Sequence, residues 1–205
     1  MQNQAHKTNL LRFALISLIV ILLISGIQPY DRATWVMEVL PVIIVLPILI
    51  ISYKQFPLTP LLYGLIYLHA IVLIVGGCYT YARVPFGFDI ANLFDLQRNP
   101  YDKIGHFLQG FVPALAAREL LIRHRFVQHK KMLVFIVICI ALAISAVYEL
   151  IEWAAALIMG QGADEFLGTQ GDVWDTQSDM FFALIGAMSA LSLFAKLQDK
   201  QVKSM

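Results

Sequence analysis

Carboxylate and imidazole side chains recur at helical spacing in three stretches of this sequence, and their types and positions suit metal binding or proton transfer. Asp102, His106, Gln109 and Pro113 stand at i, i+4, i+7 and i+11, which is one face of a helix. Ser145, Tyr148, Glu149 and Glu152 form a second polar stripe, and Asp172, Asp175 and Asp179 a third at i, i+3 and i+7. Carboxylates suit Mg²⁺ or Mn²⁺, and an added imidazole admits Zn²⁺. His106, Glu149, Glu152, Asp175 and Asp179 are therefore candidate ligands of a divalent metal ion, and Asp102, His106, Glu149, Glu152 and Asp172 are candidate general acids and bases. Acids gathered this closely cannot all stay ionised without a cation. Either a metal neutralises them or some hold protons near neutral pH.

Plainer roles compete for some of these residues. Asp102, Asp172 and Asp175 stand where helices are expected to begin, and an acid there gains about 0.3 to 1 kcal/mol from the helix macrodipole. Glu149 and Glu152 lie toward the C-terminal end of an apolar run, directly before Trp153, where the dipole disfavours a carboxylate. An ionised group at the bilayer centre costs about 2.5 to 3.5 kcal/mol on insertion scales, and less toward the interface. This pair therefore points to a function, or to a partner such as His106. His69 sits near the middle of another apolar run, and a neutral imidazole hydrogen-bonded to a neighbouring helix accounts for it.

The elements that must hold these residues follow from composition. Of the 205 residues 59% are hydrophobic and 14% charged, against about 25% charged in soluble domains. A soluble globule is excluded, and with a net charge of +1 and no basic domain so is a nucleic-acid binder. The apolar residues fall in blocks of the length that crosses a hydrocarbon core, which takes about 20 helical residues. The pattern predicts an all-α polytopic transmembrane bundle, one domain over residues 1–205, with six spans at about 10–27, 35–53, 58–79, 101–121, 132–159 and 177–197. Pro41 and Pro47 should kink the second. No A-x-A cleavage pattern closes the first, so it is expected to be an uncleaved span and not a secretory signal. The Phe-rich segment 81–100 and the Gly- and Asp-rich segment 160–176 read as loops that cap the acidic cluster or touch lipid head groups.

Basic residues fix an expected orientation. Lys7, Arg12, Lys54, Arg118, Arg123, Arg125, Lys130, Lys131, Lys196, Lys200 and Lys203 fall on one side, and only Arg32, Arg83, Arg98 and Lys103 on the other. The positive-inside rule then places both termini in the cytoplasm. The acids sort oppositely, leaving only Glu119 and Asp199 inward, and Glu149 lies roughly 27 Å along its helix from Lys131, near the outer hydrocarbon boundary. The inner halves of the spans are almost purely apolar, interrupted by Ser17, Ser52 and Ser192. Cys78 and Cys139 fall at different depths and are not expected to pair.

At Tyr101-Asp102-Lys103-Ile104-Gly105-His106-Phe107, Tyr148-Glu149-Leu150-Ile151-Glu152-Trp153 and Gly168-Thr169-Gln170-Gly171-Asp172-Val173-Trp174-Asp175 the chain resembles the YjdF-like family of bacterial inner-membrane proteins. The D-K-x-x-H-F piece is also similar to the signature of VanZ-like membrane proteins. The YjdF-like resemblance covers most of the chain after the second span and implies a multi-pass protein of the bacterial inner membrane, with no established reaction. Asp102, His106, Glu149, Glu152, Asp172, Asp175 and Asp179 match its pattern. H-E-x-x-H and G-x-S-x-G motifs are absent from the sequence. Three functions remain open. One is a metal-dependent hydrolase or transferase acting on a lipid-linked or phosphorylated substrate at the periplasmic face. Another is a small proton- or cation-coupled transporter with His69 in its relay. The last is a non-catalytic membrane partner protein.

Overall fold

The computed structural model describes residues 2–159 and 169–205. Among them are seven α-helices: α1 (Gln2–Ser25), α2 (Arg32–Ser52), α3 (Pro60–Tyr79), α4 (Pro85–Phe94), α5 (Tyr101–Arg123), α6 (Lys130–Met159) and α7 (Asp175–Lys203). Their ends carry the expected chemistry. Asp31 caps α2 by accepting from the Thr34 backbone N–H at 2.7 Å, and Thr59 caps α3, which opens on Pro60 where no amide donor is needed. Thr80 and Asp95 close α3 and α4 in the left-handed conformation. α2 continues through both Pro41 and Pro47.

Five helices, α1, α2, α3, α6 and α7, are long and apolar enough to cross a membrane. α5 is of similar length but more polar, because it stands at the centre of the bundle, packed against α3, α6 and α7. Its closest neighbour is α7. A Cβ at Gly110 would collide with the Ala183 carbonyl, and one at Gly186 with the Phe107 carbonyl, so the two backbones touch at reciprocal glycines. One apolar core, with Leu62, Phe111, Leu115, Val137, Ala141 and Ala187, joins α3, α5, α6 and α7. A second, with Leu18, Val39, Val42, Ala70 and Ile74, joins α1 and α2 to α3. Outside these cores the bundle presents an apolar skin that includes Phe13, Ile51, Phe135 and Ile158.

Three local expectations are corrected. Segment 81–100 is not a plain loop but holds α4, started by Pro85 at its first position and buried on its Gly87 and Ala91 face against Asn99. Asp172 does not lie on the last helix; it sits in the turn before α7 and accepts from the Trp174 N–H at 2.9 Å. The end of the bundle expected to face inward is not purely apolar. There Glu119, fully buried, accepts from the Thr59 N–H (2.9 Å) and hydroxyl (2.7 Å), from Gln198 Nε2 (3.2 Å) and from Arg123 (3.1 Å). Arg118 bridges Gln198 Oε1 and Asp199. The Gly- and Asp-rich loop expected at 160–176 lies outside the described residues over 160–168.

Candidate functional site

The opposite end of the bundle gathers acids from four helices. α5 begins after Pro100 with Asp102 in its first turn, and the next turn on the same face brings His106, so the imidazole stands over the carboxylate at i, i+4. His106 Nε2 lies 3.5 Å from Asp102 Oδ1 and 3.8 Å from Asp179 Oδ2 of α7, while Nδ1 lies 3.1 Å from Gln109 Oε1 and 3.7 Å from Glu149 Oε1 of α6. Asp102, His106 and Asp179 are all buried, and each offers a ligand atom within 4.8 Å of the other two. That is a spacing from which three side chains reach one divalent ion by small rotations.

The two ring nitrogens have different jobs. Gln109 Oε1 is an acceptor, so the hydrogen bond at Nδ1 requires the proton there. In the neutral ring the Nε2 lone pair then faces two carboxylate oxygens. That arrangement is repulsive unless a cation or a second ring proton sits between them.

Lys103 and Arg98 hold the rim of this cluster. Lys103 Nζ lies 2.7 Å from both Asp175 Oδ1 and Asp179 Oδ1. Arg98 reaches Asp175 at 3.0 Å, Asp172 at 2.8 Å and the Thr169 carbonyl at 2.8 Å. Gln170 adds a two-way clasp to the Asn99 backbone. Asp172 and Asp175 are thus placed in ion pairs at the entrance, whereas Asp102, His106, Glu149 and Asp179 meet inside. Glu152 is buried one turn beyond Glu149 on α6 and lines the inner cavity.

Sequence reasoning missed two members. Glu38 of α2 is buried and accepts from the Tyr148 hydroxyl at 2.9 Å, with the Tyr81 phenol also acting on it. Tyr81 is held in a slot between Gly76 and Gly105, either of which would strike its ring if it carried a Cβ. Burial, then the nearby Glu38 charge, pushes the Tyr81 phenol well above its usual range, so it stays a neutral donor. The available signal for Glu38 was its position, an acid inside an apolar helix.

Beneath the acids lies a cavity of about 360 Å³ whose polar end is formed by Glu38, Asp102, His106, Tyr148 and Glu152. Its remaining walls are largely aliphatic, among them Val42, Leu46 and Ile66. His69 opens onto this cavity with a buried Nε2 that has no hydrogen-bond partner. It therefore lacks at that atom the neighbouring-helix hydrogen bond expected from its position. Glu149 Oε1 and Ser145 Oγ are also buried without one. Such groups cost about 1 to 3 kcal/mol each if nothing binds them, which favours a polar guest here. Cys78 and Cys139 are both free.

Against known proteins, residues 10–200 match the family described as predicted membrane protein (DUF2238). The chain is 57% identical over 197 residues to the inner membrane protein YjdF of Escherichia coli (strain K12), an alignment spanning 96% of this chain and 94% of that protein. No solved structure matches. The matches bear out the YjdF-like resemblance and do not bear on the VanZ-like one.

Proposed function

The chain belongs to the DUF2238 family of predicted membrane proteins, and from that premise we propose that it is a metal-dependent hydrolase or transferase of the bacterial inner membrane. Its substrate is a lipid-linked or phosphorylated molecule taken at the periplasmic face. In this reading the whole chain is one domain of six spans, with α5 as the span that its neighbours shield, and both termini are cytoplasmic. The tie between α1 and α2, in which the Trp35 indole donates to Ser25 Oγ at 2.9 Å, supports an uncleaved first span.

The observation that carries the proposal is the facing of His106 Nε2 toward Asp102 Oδ1 and Asp179 Oδ2, with Nδ1 turned to Gln109. Gln109 orients the ring, and Asp102, His106 and Asp179 would hold the ion. A bound Mg²⁺, Mn²⁺ or Zn²⁺ would supply charge for the anionic transition state and acidify water. Glu149 takes the proton from an attacking water, whose oxygen forms the new bond to phosphorus. The bond to the lipid oxygen breaks, and that oxygen is protonated from Glu152. Lys103 and Arg98 meet the phosphoryl charge at the entrance, and the aliphatic cavity takes the lipid tail. Asp172 and Asp175 then position the two cations. Seven carboxyl groups, from Glu38, Asp102, Glu149, Glu152, Asp172, Asp175 and Asp179, face two permanent cations, which leaves the site short of positive charge.

A proton or cation carrier finds less support, because the apolar core around Phe111 and Leu115 lies between the two buried polar clusters. Metal analysis of the purified full-length protein tests the proposal. Stoichiometric divalent metal is expected in the wild type and is lost in His106→Ala and Asp179→Asn. Glu149→Gln keeps the metal and loses lipid-phosphate hydrolysis. A metal-free wild type would remove the reading.

A further inference from the structure

The crevice between α1 and α2 at the inner end of the bundle has no part in that chemistry. The two helices are fastened at their outer ends, where the Trp35 ring lies against Gly26 and Arg32 donates to the carbonyls of Gly26 (3.2 Å) and Ile27 (3.3 Å). Away from that clasp each leans on α3, and a cavity of about 330 Å³ lies between them. Leu11 and Leu15 of α1 face it from one side, Leu49 and Ile50 of α2 from the other, and Ile66 and Tyr67 of α3 form the floor. Its charged lining residues are Arg12 and Lys54, both exposed. Among the described residues neither makes a hydrogen bond or an ion pair, and no carboxylate lines the crevice.

An apolar slot whose lining includes two uncompensated cations is complementary to an anionic amphiphile. We propose that this crevice binds one anionic glycerophospholipid from the surrounding leaflet. Its phosphate sits at Arg12 and Lys54, and an acyl chain lies along the Leu15 and Leu49 walls. A neutral helix laid in the same slot would leave both cations without counter-charge, and a zwitterionic lipid would bring an ammonium up to them. Guanidinium and ammonium donors also suit phosphate oxygens in the way backbone groups of an apolar helix cannot.

Native mass spectrometry of the full-length protein, titrated with phosphatidylglycerol and separately with phosphatidylcholine, tests this. The wild type is expected to retain one phosphatidylglycerol in preference to phosphatidylcholine. Two basic groups near a membrane surface contribute about 2 kcal/mol, so Arg12→Gln with Lys54→Gln should weaken phosphatidylglycerol about thirtyfold. Leu15→Trp fills the slot and keeps both cations, and it should also lose the lipid. Equal binding of the two lipids by the wild type overturns the proposal, as does undiminished binding by the double variant. Loss in the double variant with full binding in Leu15→Trp also overturns it, since the cations would then act without the crevice. Metal content is unaffected in all three proteins, which keeps this test separate from that of the acidic site.

Discussion

Replacing Glu119 with alanine should cost more stability than any single change in the acidic cluster. The carboxylate is fully buried and accepts from Thr59 N at 2.9 Å, Thr59 Oγ1 at 2.7 Å, Arg123 Nη1 at 3.1 Å and Gln198 Nε2 at 3.2 Å. On truncation, Gln198 Nε2 keeps the Leu115 carbonyl at 2.8 Å and Arg123 keeps the Pro57 carbonyl at 2.6 Å. The two Thr59 donors lose their acceptor within a buried site. At about 1 to 3 kcal/mol for each orphaned buried donor, the loss is about 2 to 6 kcal/mol. For a chain of this size each kcal/mol moves the melting midpoint by about 2 to 4 °C, so a fall of roughly 10 °C is expected. Heating the detergent-solubilised protein and following the loss of its monodisperse chromatographic peak measures this directly. Glu119→Gln keeps an oxygen for one Thr59 donor and should fall between the wild type and the alanine variant. Glu149→Gln should move the midpoint little or upward, because Oε1 of Glu149 has no hydrogen bond to lose and sits among other acids. If Glu119→Ala melted within about 2 °C of the wild type, the ledger of orphaned donors would be wrong.

Gly110→Ala and Gly186→Ala should each force α5 and α7 apart, seen as loss of a monodisperse species, whereas Gly64→Ala, where the added methyl meets nothing, should behave as the wild type. Asp31→Ala removes the α2 cap and should cost about 1 kcal/mol near neutral pH. The Thr34 N–H holds the Asp31 carboxyl below its usual range, so its contribution is full above about pH 4 and fades as pH falls through the lower folded value. The melting difference between wild type and Asp31→Ala should shrink on that descent. Tyr148→Phe takes the hydrogen bond from buried Glu38 and should cost about 1 to 3 kcal/mol, which Glu38→Gln in the same chain should largely relieve in a double-mutant melt.

Hydropathy alone located α1, α2, α3, α6 and α7, since each is a long apolar run. α5 was expected from its own block at about 101–121, and the i, i+4 recurrence of Asp102 and His106 within it led to the inner members of the site. The missed parts share a cause. Glu38 gains its meaning from Tyr148 and Tyr81, which stand far along the chain, and no local spacing connects them. Arg118 and Glu119 were assigned to the inner flank by charge, but Thr59 and Gln198 come in from α3 and α7 to bury them. Asp172 falls at helical spacing from Asp175 and Asp179, yet α7 starts only at Asp175, because the Asp172 side chain is spent on the turn that precedes it. α4 escaped notice because its ten residues, opened by Pro85, are far too few to register as a membrane span.

The central position of α5 also has a consequence for how the chain is made. α5 carries Asp102 and Lys103 in its first turn and Arg118 and Glu119 near its end, and Asp102, Arg118 and Glu119 are buried in the finished bundle. α7, the helix whose backbone it touches, begins at Asp175, which a ribosome working at about 5 to 20 residues per second reaches roughly 3 to 10 s after finishing α5. During that interval α5 has α3, and then α6, beside it, while the face that α7 will cover stays open. A nascent chain that stopped between α6 and α7 would leave the Gly110 face of α5 without its partner. Assembly of the centre therefore waits on synthesis of the end.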